Sequence, residues 1–290
     1  MDIIAFALVV LSAGMHAYWN FLLKKSEDTK VFIWLFLLGS MLIFFPFFIS
    51  LAPIDIPVSG WCCILTAGLA HALYLISLSS AYEKGDLSLV YPLARSAPII
   101  FVLIGAMVFL GEMPSGIGMA GMTLIILGCY ALHSDSLRAL FQPLTLKSLN
   151  SKPSQLALLT AGFIALYSLI DRVGIEYVQI FRYIYLVFVF MFVFYTPFIL
   201  IKRDKKEIKA EWASNRRNIL IVAFLCFFTF FLVLIAMTLA KLSYIVALRQ
   251  LSIIFSVMLG AWVLKEEHGD IRFTASLLIF VGAFLIAIAQ

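Results

Sequence analysis

Ten apolar runs of roughly 17 to 25 residues, separated by polar breaks, fill this chain of 290 residues; that is the length a helix needs to cross a bilayer. They fall at about 3–23, 31–51, 60–82, 88–110, 116–133, 154–170, 179–201, 218–240, 243–264 and 272–289. The runs are continuous rather than alternating, which predicts spanning helices and not barrel strands. Hydrophobic residues make up 63% of the chain and charged ones 13%. A soluble protein of this length cannot hide so much apolar surface, so lipid is the expected solvent. A net charge of +5 does not point to nucleic acid, because the cations gather in loops as membrane orientation requires. The first run is long enough to span, lacks a basic leader and leads into further spans, so no cleavable signal is expected.

Two arginines break the apolar pattern in matching places. YPLARSAPIIFVLIGAMVFLGE holds Arg95 and Glu112, and VALRQLSIIFSVMLGAWVLKEE holds Arg249 and Glu266. At the same offset Ile99, Ile100 and Phe101 fall on Ile253, Ile254 and Phe255, and Gly128 falls on Gly282. AGMHAYWNFLLK in the first run likewise resembles AGFIALYSLIDR in the sixth. The chain therefore reads as an internal repeat: 1–133, a polar linker 134–153, and 154–290. Each half holds five spans. Five is odd, so the halves enter the membrane in opposite senses, and the fold class is an all-α polytopic membrane protein of two inverted five-helix repeats.

Loop charges set the orientation. Lys24, Lys25, Lys84, Arg138, Lys147, Lys202, Arg203, Lys205, Lys206, Arg216 and Arg217 all follow odd-numbered runs, whereas the opposite side carries Arg172, Lys241 and Arg182. The positive-inside rule places the linker and a basic loop at 202–217 in the cytoplasm and both termini outside.

Intramembrane charge is costly and usually functional. Arg95 and Arg249 each lie roughly 10 Å into a span, from opposite sides, so they flank the midplane where inverted-repeat carriers bind substrate. A guanidinium holds carboxylate or phosphate bidentately; the plainer reading is that each arginine snorkels or satisfies backbone carbonyls. Pro92 and Pro98 bracket Arg95 and either break the helix at the site or merely kink it. His16, His71 and Tyr74, with Tyr18, Trp19 and Asn20 nearby, form a candidate polar, aromatic cavity lining; a histidine there either relays protons or is a neutral interhelical hydrogen-bonder. Glu112 and Glu266 fall at helix ends, as gate residues or interfacial anchors. Asp171-Arg172 reads as an interfacial charge pair. Gly121 and Gly128, and Ala275 and Gly282, mark close helix packing, within the monomer or across a homodimer. The four cysteines lack metal or redox spacing and read as buried thiols. No metal site, cofactor motif or clustered catalytic set is expected, so the chain is not expected to be an enzyme.

The LGE ending at Leu110 to Glu112, the glycine-rich run after it, and the weaker LKEE copy at Leu264 to Glu267 resemble the EamA branch of the drug/metabolite transporter superfamily. The resemblance covers the whole chain as two repeats. It implies a ten-helix secondary carrier in the cell inner membrane that exports amino acids, other metabolites or drugs. VYPLARSAP (Val90 to Pro98) is also similar to a sub-branch associated with phosphonate use. The family is usually drawn with cytoplasmic termini; the charges say the reverse and are followed here. The expected function is export of a small polar metabolite bearing a carboxylate or phosphonate, by alternating access with proton coupling. The alternatives are a broad amine or drug exporter and a non-transporting membrane scaffold or sensor.

Overall fold

The computed structural model describes residues 2–51, 55–84, 87–131, 151–264 and 270–289, with the side chains of 82–84, 87–93, 257, 259–264 and 270–273 left aside. All regular structure among the described residues is helical. In chain order the helices are α1 (Ile3–Leu23), α2 (Thr29–Ser50), α3 (Val58–Lys84), α4 (Leu87–Phe109), α5 (Gly116–Ala131), α6 (Lys152–Tyr177), α7 (Ile180–Lys202), α8 (Lys205–Leu239), α9 (Leu242–Leu248), α10 (Leu251–Leu264) and α11 (Asp270–Ile288). Six of them, α1, α2, α3, α6, α7 and α8, are clearly long and apolar enough to cross a membrane.

Helix starts follow local capping chemistry. The Asp28 carboxylate accepts from the backbone N–H of Lys30 and Val31 to open α2. Ser151 caps α6, with proline in its first turn. Asp204 and Glu207 form a reciprocal capping box at α8, which satisfies backbone donors that the helix itself cannot.

Three boundaries depart from the hydropathy reading. The span expected at 154–170 continues to Tyr177: Asp171 and Arg172 end the apolar run but not the helix. The basic loop expected at 202–217 is helix from Lys205 onward. At 35 residues, α8 is about 52 Å long at 1.5 Å per residue, longer than the roughly 30 Å of a bilayer's hydrocarbon core. The ninth span is two helices, α9 and α10.

Packing between the halves is reciprocal. α3 lies along α6, and α1 lies along α8; α4 packs on α6, and α10 packs on α1; α2 packs on α8, and α3 packs on α7. Matching α1 to α6, α2 to α7, α3 to α8, α4 to α9–α10 and α5 to α11 turns each of these contacts into another of them. α5 with α11 and α2 with α7 are their own counterparts. Loop contacts sort the same way. Arg203, before α8, pairs with Asp28, before α2, and the Asp28 N–H donates to Glu211 at 2.8 Å. Glu112, after α4, meets Leu242 and Ser243 at the start of α9.

The glycine stripes are spent inside the chain. A Cβ on Gly121 would stand 2.7 Å from the Gly282 carbonyl, and one on Gly282 would stand 2.6 Å from the Gly121 carbonyl. One turn-pair along, a Cβ on Gly128 would lie 2.8 Å from the Ala275 carbonyl. Of the two sequence readings of these residues, packing within one chain is the one seen. Elsewhere aromatic rings fill the interior: Phe44 stacks on Phe227 with centroids 3.9 Å apart, and Tyr183 and Tyr195 are fully buried.

Candidate functional site

Helix α4 runs unbroken through Pro92 and Pro98. Of the two readings of these prolines, a break and a mere kink, the break is not seen: Pro98 is buried against the bundle, and neighbouring helices hold a proline-bearing helix together where lipid alone could not. The break lies in the proline-free copy. Between α9 and α10 the backbone bonds tighten from i−4 to i−3: Gln250 N–H donates to Ala247, Ser252 N–H to Arg249 and Ile253 N–H to Gln250, at 2.9–3.1 Å. Such tightening ends one helix and starts another in place, with Arg249 at the junction.

The end of α4 explains the LGE sequence. Gly111 has φ +64°, a left-handed conformation that glycine adopts without steric cost. The turn returns the Glu112 N–H to the Ala106 carbonyl at 3.0 Å, closing the helix in a Schellman-type motif. The Glu112 carboxylate is thereby aimed at the start of α9. It accepts from Leu242 N–H at 2.7 Å, Ser243 N–H at 3.2 Å and Ser243 Oγ at 3.0 Å. Lys241 Nζ donates to the Met113 carbonyl at 2.6 Å, and the Tyr244 hydroxyl accepts from Ser115 N–H at 2.9 Å. Glu112 is thus a cap that joins the two halves. Replacing it with alanine should cost about 1–2 kcal/mol, the usual worth of a helix cap, read as a lower melting temperature in detergent. Glu112→Gln, which keeps one acceptor oxygen, should recover part of the loss. Glu266, its counterpart in the repeat, lies outside the described residues.

Arg95 on α4 and Arg249 at the α9–α10 junction reach one cavity of about 40 Å³. Its wall comprises Ser12, Ala13 and His16 of α1, Tyr74 of α3, Ala94, Arg95 and Pro98 of α4, Ile164 and Tyr167 of α6, and Val246, Arg249 and Gln250. Four of the expected binding residues therefore meet: Arg95, Arg249, His16 and Tyr74. Both guanidinium groups act electrostatically on His16. The Arg249 guanidinium shares the cavity wall with Tyr167 and sits 5.3 Å from the centre of the Phe230 ring, a cation–π contact. Among the described residues no acidic side chain lines the cavity. His16 Nδ1 and Gln250 Oε1 are buried and have no hydrogen-bond partner among the described residues. Trp19 packs edge-on against His16 at 4.8 Å, while Tyr18 is exposed and Asn20 donates to the His16 carbonyl at 2.7 Å.

His71 does not line this cavity. It is 2% exposed and stacks flat on Tyr167, centroids 3.7 Å apart. Its Nε2 lies 3.2 Å from Asp171 Oδ2, and the Tyr183 hydroxyl donates to Asp171 Oδ1 at 2.9 Å. Asp171 is 3% exposed. The interfacial Asp171-Arg172 pair of the sequence reading is therefore corrected: the two side chains leave the helix on different faces, and Arg172 pairs with Glu176 at 2.6 Å. Tyr167, Gln250 and Asp171 were missed as site residues. Of these only Asp171 carried a signal, as a carboxylate beside an apolar run. Cys129 and Cys226 are buried, whereas Cys62 is exposed. Among the described residues no group of His, Cys, Asp and Glu could hold a metal ion.

The profile of the EamA-like transporter family matches residues 1–133 and again 152–288. No curated protein matches the chain at a significant level. A solved structure, described only as the crystal structure of a protein, is 15% identical, covers 98% of this chain and 97% of its own, and superposes with a TM-score of 0.71; at that identity the likeness shows the fold alone. With the family profile matching nearly the whole chain in two segments, this multi-pass helical protein belongs to the EamA-like transporter family.

Proposed function

We propose that the chain is a secondary carrier of a small acidic metabolite, bearing a carboxylate or phosphonate, that works by alternating access in the cell inner membrane. One observation carries the substrate class: two permanent cations, Arg95 and Arg249, line a single cavity whose wall, among the described residues, contains no carboxylate. Charge held in a low-dielectric interior seeks a counter-ion, and guanidinium favours planar oxyanions. His16 Nδ1, buried without a partner among the described residues, donates to such an oxyanion when it carries the ring proton, and Gln250 Oε1, likewise without a partner there, accepts from a donor group of the substrate. The same cations disfavour the alternative, export of organic amines, since a second positive charge would be repelled.

The reciprocal packing of the halves supports ten spans in two inverted sets of five. A cavity of about 40 Å³ has room for little more than a water or two. Loading a metabolite therefore requires the helices around it to part, which suits a carrier whose site closes between openings. The family resemblance implies export as the direction.

Thermal-shift screening of the full-length protein tests the substrate class. Carboxylates and phosphonates should raise the melting temperature, because a ligand of the folded state stabilises it; amines should not. Stabilisation by amines alone would overturn the reading. In proteoliposomes an acidic ligand found this way should cross the membrane; folded protein with no flux for any ligand would favour the scaffold reading. Reporter fusions test the orientation separately. A C-terminal fusion should report the outside, and a fusion within 205–217 the cytoplasm; the opposite pattern would show that loop charge misled.

A further inference from the structure

Asp171 is a carboxylate, 3% exposed, buried inside the helix bundle with no lysine or arginine paired to it among the described residues. Its polar partners among the described residues are the His71 ring at 3.2 Å and the Tyr183 hydroxyl at 2.9 Å. The neighbouring Arg172 is turned away onto Glu176. Two further titratable groups, Cys63 and Tyr74, approach this cluster from α3, and Tyr167 does so from α6. α7 contributes Tyr183. α8 presents the uncharged Phe230, whose ring lies 5.2 Å from His71. Tyr167 stacks on His71 and shares a cavity wall with Arg95 and Arg249. With a neutral imidazole donating from Nε2, the pair carries a net charge of −1, which is expensive in a dry interior. One added proton makes it neutral. Whether the Nε2···Oδ2 proton then belongs to the imidazolium or to the carboxylic acid, Nδ1 is protonated in both forms. Nδ1 is the atom that is buried without a hydrogen-bond partner.

Resting on the anion-carrier reading above, we propose that the His71–Asp171 pair, oriented by Tyr183, is the proton-binding site of the transport cycle. Tyr167 is the link: its ring stacks on His71, and it lines the same cavity as Arg95 and Arg249. An anion that neutralises the arginines removes positive field from the Asp171 side of Tyr167, and so favours protonation of the pair. By reciprocity a proton on the pair favours the anion to the same degree. Proton and anion therefore bind together and cross together. An inward proton gradient would then carry the anion inward, opposite to the export that the family resemblance implies, so the sign of the flux is itself a readout.

The test has two arms. In the first, infrared difference spectra between acid and alkaline pH are taken on the ligand-free, full-length protein in lipid. The wild type should show carboxyl and imidazole bands changing over one common pH range. Asp171→Asn should abolish the carboxyl band and displace the imidazole transition, and Tyr183→Phe should shift the carboxyl frequency while keeping the titration. Identical difference spectra for wild type and Asp171→Asn overturn the proposal.

In the second arm, labelled glutamate and methylphosphonate are followed in proteoliposomes. Wild type should exchange at least one of them at equal pH, and should accumulate it about tenfold on the alkaline side for one pH unit and one proton per monoanion. Asp171→Asn, whose neutral amide stands in for the protonated carboxyl, should lose the accumulation even where it still exchanges at equal pH, and His71→Gln should reduce the accumulation. Accumulation unchanged in both variants overturns the proposal, as does accumulation on the acid side. If neither probe exchanges in wild type, the anion-carrier reading is what has failed, and the infrared arm alone decides the proton site.

Discussion

Arg249→Ala should weaken binding of an acidic ligand by about 2 kcal/mol or more, the usual cost of truncating one partner of a buried charge pair. That is roughly twenty-five-fold at 1.4 kcal/mol per tenfold. Arg95→Ala should cost a similar amount, and the double variant should fall below detection. Arg249→Lys should also lose substantially. A lysine keeps the charge but lacks the planar fork that grips an oxyanion bidentately. The two alanine variants should differ in stability. Arg249 ends α9 and sits over the Phe230 ring at 5.3 Å, so its removal also strips a packed contact. Isothermal titration of each variant with a ligand from the thermal-shift screen checks the prediction, with melting temperature recorded beside it. Acid binding unchanged in both alanine variants would return the arginines to a structural role.

Much of the site was legible because intramembrane charge is rare enough to stand out. Arg95 and Arg249 were visible as repeat-related exceptions to apolar runs, and the cavity brings both together with His16 and Tyr74. What hydropathy hides is what a helix does after its apolar run ends. Asp171 looked like a membrane-surface charge because it closes a run, yet α6 continues six residues further to Tyr177 and turns the carboxylate inward onto His71. The helical nature of the 205–217 stretch had its own signal, Asp204 followed three residues later by Glu207, a capping signature that the basic composition masked. Tyr167 could not have been found this way: an aromatic residue in an apolar helix is indistinguishable from core until its neighbours are known.

The position of the break shows why local signals mislead in a membrane bundle. Proline removes one donor and clashes with the preceding turn, which made α4 the candidate for a broken helix, beside the reading of a mere kink. Packing on α6 and α9 supports α4 through both prolines. α9 instead begins on a cap supplied from the other half of the chain, Glu112, and ends after seven residues. That cap is a long-range partner, 130 residues away from the N–H it satisfies, so no reading of the ninth run by itself could place the junction. The consequence for mechanism is that the two arginines differ in kind. Arg95 is carried on a continuous rod, whereas Arg249 stands at a joint between two short rods, so motion of α9 against α10 changes the geometry of the cation pair most directly.

Gly282→Leu and Gly121→Leu should be the most destabilising substitutions in the molecule. A single Cβ at either position would lie 2.6 to 2.7 Å from the facing backbone carbonyl, closer than atoms tolerate, and the obstacle is main chain rather than a side chain that can swing away. The helices must separate. Ordinary overpacking costs about 1–3 kcal/mol; here α5 and α11 would also lose dispersion contacts along their length, and in lipid such packing is what holds helices together. Neither helix is among the six most clearly able to span by length and apolarity, which makes them depend on each other more than the longer helices do. Both leucine variants should therefore show a broad loss of monodisperse protein in detergent, followed by fluorescence-detected size exclusion. Gly→Ala at the same sites should be intermediate, since one methyl group needs less separation. Leu127 of α5 is exposed, and Leu127→Ala should leave the elution profile unchanged. Wild-type behaviour of both leucine variants would mean that α5 and α11 do not touch at these glycines, and that the stripe serves a partner outside the chain.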